Sequence, residues 1–396
     1  MNTIKKVLIV GAGPAQYKGI VKAKEMGLCT IVADVKPNAP GMGIADVPLA
    51  IDVKDSLTLI QVARKYMIDA VFSVSSEVSV RTVAAISEEL KLPGINRKTA
   101  SIATDKGLMR EKFLEYDVPS PQFMIVYSLN EAIEAIKHIG FPVVIKPADN
   151  AGSRGVSLVL NEDEIKDAFE NSKNNSRQGK VLVESFMDGV EVSVEAFVYK
   201  NDVKILTLSD KIRTPPPFLL DTTVIFPSNY TGETLKKICN VAINAIKAVG
   251  IDNGPVHMEL MMTSEGPKMV ELAARGPGFK VFTEIIPYVT GVDVVEGVIK
   301  LALGEEPDLN STTSRGAVLK FIATKPGRIK DIKGLDQIKK INGVYDFEIY
   351  LNINDEVRPL TCGDDRIGHI IAFSDTRDNA LEIIEMVEKL LIIEVE

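Results

Sequence analysis

Over the first hundred residues, short apolar runs alternate with longer stretches of mixed polarity. Val7-Leu8-Ile9-Val10 reads as a buried strand, and Gly11-Ala12-Gly13-Pro14 turns the chain into a helix near Lys18 to Met26. Thr30 to Asp34 is a second strand and Ala70 to Val74 a later one. This alternation predicts a doubly wound parallel sheet. Asp34 stands about 20 residues past the glycines, where a dinucleotide-binding fold places its ribose acid. The glycine fingerprint is incomplete, because its third position is Gln16. The segment therefore reads as a scaffold whose strand-end loops face a small substrate, with Ser75-Ser76-Glu77 as candidate contacts.

Around Leu92 to Asn96 this unit ends, and Thr104 or Asp105 caps a helix with Lys106 in its first turn. A lysine there gains nothing from the helix dipole, which suits an anionic partner. A helix from Asn130 to Ile139 then leads to the strand Val143 to Pro147. Lys146 in the middle of that apolar strand is costly unless paired. The loop Asp149 to Val156 follows, with Gly152, Ser153, Arg154 and Gly155. Small residues let backbone N–H groups approach phosphate oxygens, so the loop reads as a phosphate lid, with a plain turn as the alternative. Val181-Leu182-Val183 delivers Glu184 to Ser185-Phe186-Met187. From Val190 the alternation of Glu191, Ser193 and Glu195 with valines predicts a half-buried strand, with Glu195 solvated. Such a strand edge can read an adenine through its main chain, with an acid beyond it for ribose hydroxyls. Ser209 to Asn229, with Pro215-Pro216-Pro217, reads as a long functional loop carrying Lys211 and Arg213. Helices are expected over Gly232–Val249, Ile285–Leu303 and from Arg377 onward, the last closing a strand-rich segment that begins near Gly316.

Two strands, VHMELMM and KMVEL, flank the turn-forming run Thr263 to Pro267. A turn centred on Glu265 sets Glu259 opposite Glu271 and Met261 opposite Met269. His257, Glu259 and Met261 then share a face with Met269, Glu271 and Ala273. Like charges facing each other across a strand pair repel. A cation between them resolves the conflict, and oxygen ligands from two side chains suit Mg²⁺, which takes further ligands from phosphates and water. Just downstream, Arg275 with Gly276-Pro277-Gly278 offers a guanidinium fork to an anion. The alternative is a surface hairpin with two solvated glutamates.

Composition narrows the class. The 396 residues exceed one compact core, so two or three domains are expected. Net charge is −8 with a pI near 5.3, which argues against nucleic-acid or membrane-surface binding. The three cysteines (Cys29, Cys239, Cys362) have no CxxC spacing, and no apolar run is long enough to span a bilayer. A cytoplasmic enzyme is the expectation.

Taken in order, Lys106, Lys146, the glycine loop, Glu184 to Glu191 and the Glu259/Glu271 pair resemble the ATP-grasp superfamily. The run KPADNAGSRGV and the run GPVHMEL resemble those of carboxylate–amine ligases of the L-amino-acid (dipeptide) ligase type. The resemblance implies α/β and α+β architecture. A Rossmann-like pre-ATP-grasp domain would span 1–100 and the two-part ATP-grasp fold 101–310, with a mobile lid at about 118–188. A small strand-rich C-terminal domain would span 311–396. It implies ATP and Mg²⁺, with Mn²⁺ a substitute, and small carboxylate and amine substrates; it also suggests a homodimer. Lys106 and Lys146 would bind the α- and β-phosphates, with Gly152 to Gly155 closing over the β- and γ-phosphates. Lys211 would reach the γ-phosphate. Glu184 and Met187 would meet adenine, and Glu191 the ribose. Glu259 and Glu271 would ligate the metal, Arg275 would steady the transferring phosphoryl group, and His257 and Gly278 would line the acceptor pocket. One departure stands out: many members carry Asn where this chain has Ala273, which puts a second Mg²⁺ in doubt. The competing readings are a purine-type carboxylase working through carboxy-phosphate, a nicotinamide-dependent oxidoreductase, and a nucleotide-binding protein without catalysis.

Overall fold

The computed structural model describes residues 4–150, 152–216 and 218–396. Ala151 of the glycine loop and Pro217 of the proline run lie outside the described residues. At the N-terminus, Lys6–Val10 pairs in parallel with Cys29–Asp34 on one side and Ala70–Phe72 on the other, and Val47–Ala50 completes a four-stranded sheet. Val7 to Val10 are fully buried, as expected when helices cover both faces of a parallel sheet. Gly11 turns the chain at φ +106°, and Gln16 packs over it. The Asp34 carboxylate accepts hydrogen bonds from Ala12 N–H (2.8 Å) and Lys36 N–H (2.9 Å). Asp34 therefore braces the turn, as a scaffold requires.

A second sheet, ordered Phe123–Val126, Val181–Ser185, Val143–Pro147, Ser157–Val159, is antiparallel throughout. Helices Leu129–Ile139 and Ile165–Asn175 pack on it around a separate core that includes Ile136, Ile145 and Phe169. This small unit carries Lys146 and the glycine loop.

The third sheet has eight antiparallel strands. Gly266–Ala273 lies at one edge, followed by Gly254–Thr263, Val190–Tyr199, Asp202–Arg213 and Asp221–Phe226. The sheet then continues through Gly316–Ile322, Gly368–Ser374 and Val344–Ile349, so C-terminal strands extend it directly. A three-stranded sheet of Glu356–Val357, Gly327–Lys333 and Ile392–Val395 completes the C-terminal region. Helix Arg377–Leu390 packs over that region's own apolar cluster. The amphipathic helix Gly232–Val249 forms as the sequence predicts, burying Ile238, Ala242 and Ile246. Among the described residues, no helix is long and apolar enough to cross a membrane.

Several expectations fail for physical reasons. Ser209–Asn229 is mostly hairpin: β-branched and alternating residues extend both strands, leaving only 214–220 as the connection. Val190–Tyr199 is not half-buried, because it pairs on both sides and is covered on both faces. The predicted helix Ile285–Leu303 is broken into Ile286–Thr290 and Val294–Ala302 by Gly291 at φ +74°, with Asp293 capping the second piece. In the glutamate hairpin, a turn tighter than expected sets Met261 opposite Lys268, and a bulge one pair further on brings Glu259 to face Glu271. Met269 instead pairs with Leu260 and enters the core.

Candidate active site

The N-cap of helix Lys106–Glu115 is Asp105, whose carboxylate accepts from Gly107 and Leu108 N–H groups. This cap fixes the first turn and aims Lys106 into a cleft between the small unit and the eight-stranded sheet. Its ammonium donates to Asn150 O (2.6 Å) and pairs with Glu271 (3.0 Å). Burial alone would lower the Lys106 pKa, but Glu271 outweighs it and raises the pKa.

From the opposite wall, Lys146 projects from its strand onto Glu184 (2.6 Å). The other oxygen of Glu184 accepts from Arg110 Nε at 2.8 Å, and Arg110 also donates to Val270 O at 2.6 Å. Val270 is the extra residue of the hairpin bulge, so the bulge frees that carbonyl for Arg110. Burial pushes the Lys146 pKa below its ordinary range despite Glu184. Burial works against ionisation of Glu184, yet Arg110 and Lys146 hold its carboxyl below the usual range.

A third cluster lies on the eight-stranded sheet. The Lys211 ammonium sits among Glu191 (2.8 Å), Asp221 (3.0 Å) and Glu259. Oxygen atoms of these three carboxylates all lie within 4.8 Å of one another. Arg213 holds the second oxygen of Glu191 at 2.9 Å. Burial, together with the neighbouring carboxylates, raises Glu191 to about 7, while Lys211 holds Glu259 well below the ordinary range. His257 Nδ1 donates to Glu195 at 2.8 Å, and its Nε2 lies 3.5 Å from Glu259. Burial would depress this imidazole, but Glu195 and Glu259 raise it to about 9. The solvated Glu195 of the sequence reading is thus a buried ion-pair partner, placed inward by the central position of its strand.

Two cavities join these clusters. The first encloses about 950 Å³, part of it open to solvent. Lys106, Lys146, Glu184, Met187 and Glu191 line it, as do Gly152, Ser153 and Arg154 of the glycine loop. Glu259 and Glu271 line it too, and Val144, Val156, Met261 and Phe186 give apolar surface. The second cavity, about 820 Å³, shares Gly152, Ser153, Glu259 and Glu271 with the first. It adds His257, Arg275 and Gly278, together with Arg366 from the C-terminal region. Arg275 Nε donates to Glu77 at 2.8 Å, and Ser75 Oγ donates to Pro277 O at 2.6 Å. The N-terminal sheet's strand-end loop is thereby clamped to the arginine.

Two predicted contacts lie off the cavity walls. Gly155, at φ +76°, is packed against Asn175, where a Cβ would approach to 2.7 Å, so its smallness serves packing. Lys211 is buried beneath the carboxylates. Sequence reasoning missed Arg110, Asp221 and Arg366. Arg110 had a signal, since it follows Lys106 by four residues on one helix face. Asp221 had a local one, the hairpin that pairs it with Arg213, which the loop reading concealed, whereas Arg366 had none, because it arrives from a distant C-terminal segment.

The donor set fits a magnesium nucleotide. Three all-oxygen donors converge where an ammonium now neutralises them, as a hard divalent cation requires. Two lysines and a glycine loop face them across the cavity.

Comparison with known proteins agrees. Residues 139–284 match an ATP-grasp domain, and residues 320–396 match L-amino acid ligase C-terminal domain 2. Alanine–anticapsin ligase of Bacillus subtilis is 26% identical over 275 residues, 63% of this chain and 57% of that protein. A formate-dependent phosphoribosylglycinamide formyltransferase of Prochlorococcus marinus is 30% identical over 188 residues, 46% and 48% of the two chains. The chain thus spans about half the length of these curated relatives. The structure of an L-amino acid ligase from Bacillus licheniformis superposes with TM-score 0.84 at 20% identity, covering 100% of both chains. The biotin carboxylase domain of Hydrogenobacter thermophilus 2-oxoglutarate carboxylase, a dimer in complex with MgADP and bicarbonate, gives TM-score 0.74 at 20% identity over 100% of this chain and 92% of that one. The chain contains an ATP-grasp domain together with L-amino acid ligase C-terminal domain 2.

Proposed function

We propose that this protein is an ATP-dependent carboxylate–amine ligase that forms an amide bond through an acyl phosphate. One observation carries the reading. The nucleotide-sized cavity and the cavity holding Arg275 and His257 meet at Glu259 and Glu271. On this reading the units are 1–100, 101–310 with a lid at 118–188, and 311–396.

A substrate carboxylate oxygen attacks the γ-phosphorus of ATP, forming a carboxyl–phosphate bond as the bond to ADP breaks. An amine nitrogen then attacks the acyl carbon; the carbon–oxygen bond breaks, phosphate leaves, and the amine gives up a proton. Lys106 and Lys146 offer positive charge to the phosphates, and the main chain of Gly152 to Arg154 offers N–H donors. Met187 and Val144 contribute apolar surface for adenine, and Glu191 an acceptor for ribose hydroxyls. Glu259 and Glu271 would hold Mg²⁺, which supplies charge neutralisation at the transferred phosphoryl group. Asp221 offers the further oxygen that Ala273 does not. Arg275 places a guanidinium beside the acyl phosphate, and closure of the glycine loop excludes the water that would hydrolyse it.

The test is phosphate release from ATP and Mg²⁺ across a panel of amino acids, singly and in pairs, with Glu271→Ala as control. Release that requires an amino acid and is lost in the variant supports the ligase. Because some relatives are formate-dependent transferases, the panel includes formate and bicarbonate. Release stimulated by these alone would replace the amino-acid reading.

A further inference from the structure

We propose that an apolar cavity behind Arg275 is the side-chain pocket for an amino-acid substrate, and that it selects aliphatic side chains of about four carbons. The inference rests on the ligase reading and names the substrate class of that site. The cavity encloses about 580 Å³, part of it open to solvent, where the N-terminal unit meets the eight-stranded sheet. Phe72 from the parallel sheet, Val80 and Val83 from helix Val80–Leu90, and Val298 and Leu301 from helix Val294–Ala302 form its walls. Protein interiors pack with few voids larger than a water molecule, so an apolar gap between two well-packed cores invites an occupant. One wall carries a second sign of this. The Ser73 hydroxyl is buried there without a hydrogen-bond partner among the described residues. Buried polar groups in a finished core are normally satisfied.

Position ties the cavity to the chemistry. Arg275 lines both this cavity and the one that holds His257, Glu259 and Gly278. Ser76, from the strand-end loop clamped to the arginine, lies in the same wall. An amino acid whose carboxylate faces the guanidinium would therefore have apolar walls for its side chain within reach. Charged or strongly polar side chains would be stripped of water there without partners, which disfavours them.

Calorimetric titration of the full chain with L-leucine and with glycine, in ADP and Mg²⁺, tests the proposal without turnover. L-leucine should bind at least tenfold tighter than glycine, since its buried carbons add transfer free energy. Val298→Phe, which fills the cavity, should reduce that preference at least fivefold and leave glycine binding unchanged. Ala302→Val, a milder filling at the same wall, gives the same sign if the larger substitution fails to fold. Equal affinities, undetectable leucine binding, or a preference that survives filling would overturn the proposal and leave the gap as a packing defect. Amino-acid-dependent phosphate release decides the ligase reading separately, so either can fail alone.

Discussion

Two buried charge clusters face each other across the nucleotide-sized cavity, and they are built in opposite senses. At one, a single carboxylate, Glu184, lies between Lys146 and Arg110, which leaves excess positive charge. At the other, Glu191, Asp221 and Glu259 surround Lys211, with Arg213 behind, which leaves excess negative charge. Neither arrangement is the cheapest way to build a core, because ion pairs removed from water rarely repay their desolvation. Their polarity suits the proposed function, in which one end would receive phosphates and the other a divalent cation. The difference also sorts their roles. Arg110 and Glu184 are almost wholly buried, whereas Glu259 keeps a quarter of its side chain exposed. The first cluster is a strut beneath Lys146, and the second is a set of carboxylates held together by Lys211 and partly open to the cavity.

The largest effect should come from breaking the strut. Arg110→Met leaves the Glu184 carboxylate short of one partner and Val270 O short of a donor, and should cost about 3–5 kcal/mol of stability. Chemical denaturation would read it, and Arg110→Met combined with Glu184→Leu should recover much of the loss. If the single variant is as stable as wild type, the strut assignment is wrong.

Lys211→Met sharpens the contrast from the other side. It exposes three carboxylates to mutual repulsion, so the variant should melt lower without Mg²⁺ and gain more from added Mg²⁺ than wild type does. Phosphate release should fall by about a hundredfold or more if Lys211 meets the transferred group. A variant with unaltered Mg²⁺ response would show that the ammonium does not hold a cation's place.

The smallest effect concerns His257. Its folded pKa of about 9 lies above the ordinary imidazole value of 6.5, so its protonated form stabilises the fold. That contribution is complete below the unfolded pKa and is lost as pH rises through about 9. The melting temperature of the ligand-free chain should fall between pH 7 and 9.5 by several degrees, and His257→Gln should flatten the profile. An unchanged slope in the variant would assign the titration elsewhere.

How much of this was legible in advance varied with the range of the interaction. Helices with local signals formed where expected, as Gly232–Val249 did with its amphipathic pattern and Lys106–Glu115 with its Asp105 cap. The opposition of Glu259 and Glu271 does not follow from the two-residue turn, which alone would set Glu259 opposite Val270; the bulge that leaves Val270 unpaired restores it. The misreadings were failures of context. Glu195 looks solvated in an alternating strand, and only the pairing of that strand on both sides turns it inward to His257. The span 209–229 reads as a loop because prolines dominate its middle, while its first strand pairs with the neighbouring Val190–Tyr199 and its second with the distant Gly316–Ile322.

By itself the sequence determined the alternating architecture, the lysines and glycine loop, and the placing of two glutamates on adjacent strands of one hairpin. Periodicity, capping and turn length are short-range and can be read along the chain. Only the tertiary structure decided which cation each carboxylate holds, that Asp221 joins Glu191 and Glu259, and that Arg275 stands between two cavities. Those facts depend on how strands and units are brought together in space, which no local pattern encodes, and burial then shifts groups such as Glu191 and His257 from their ordinary ranges.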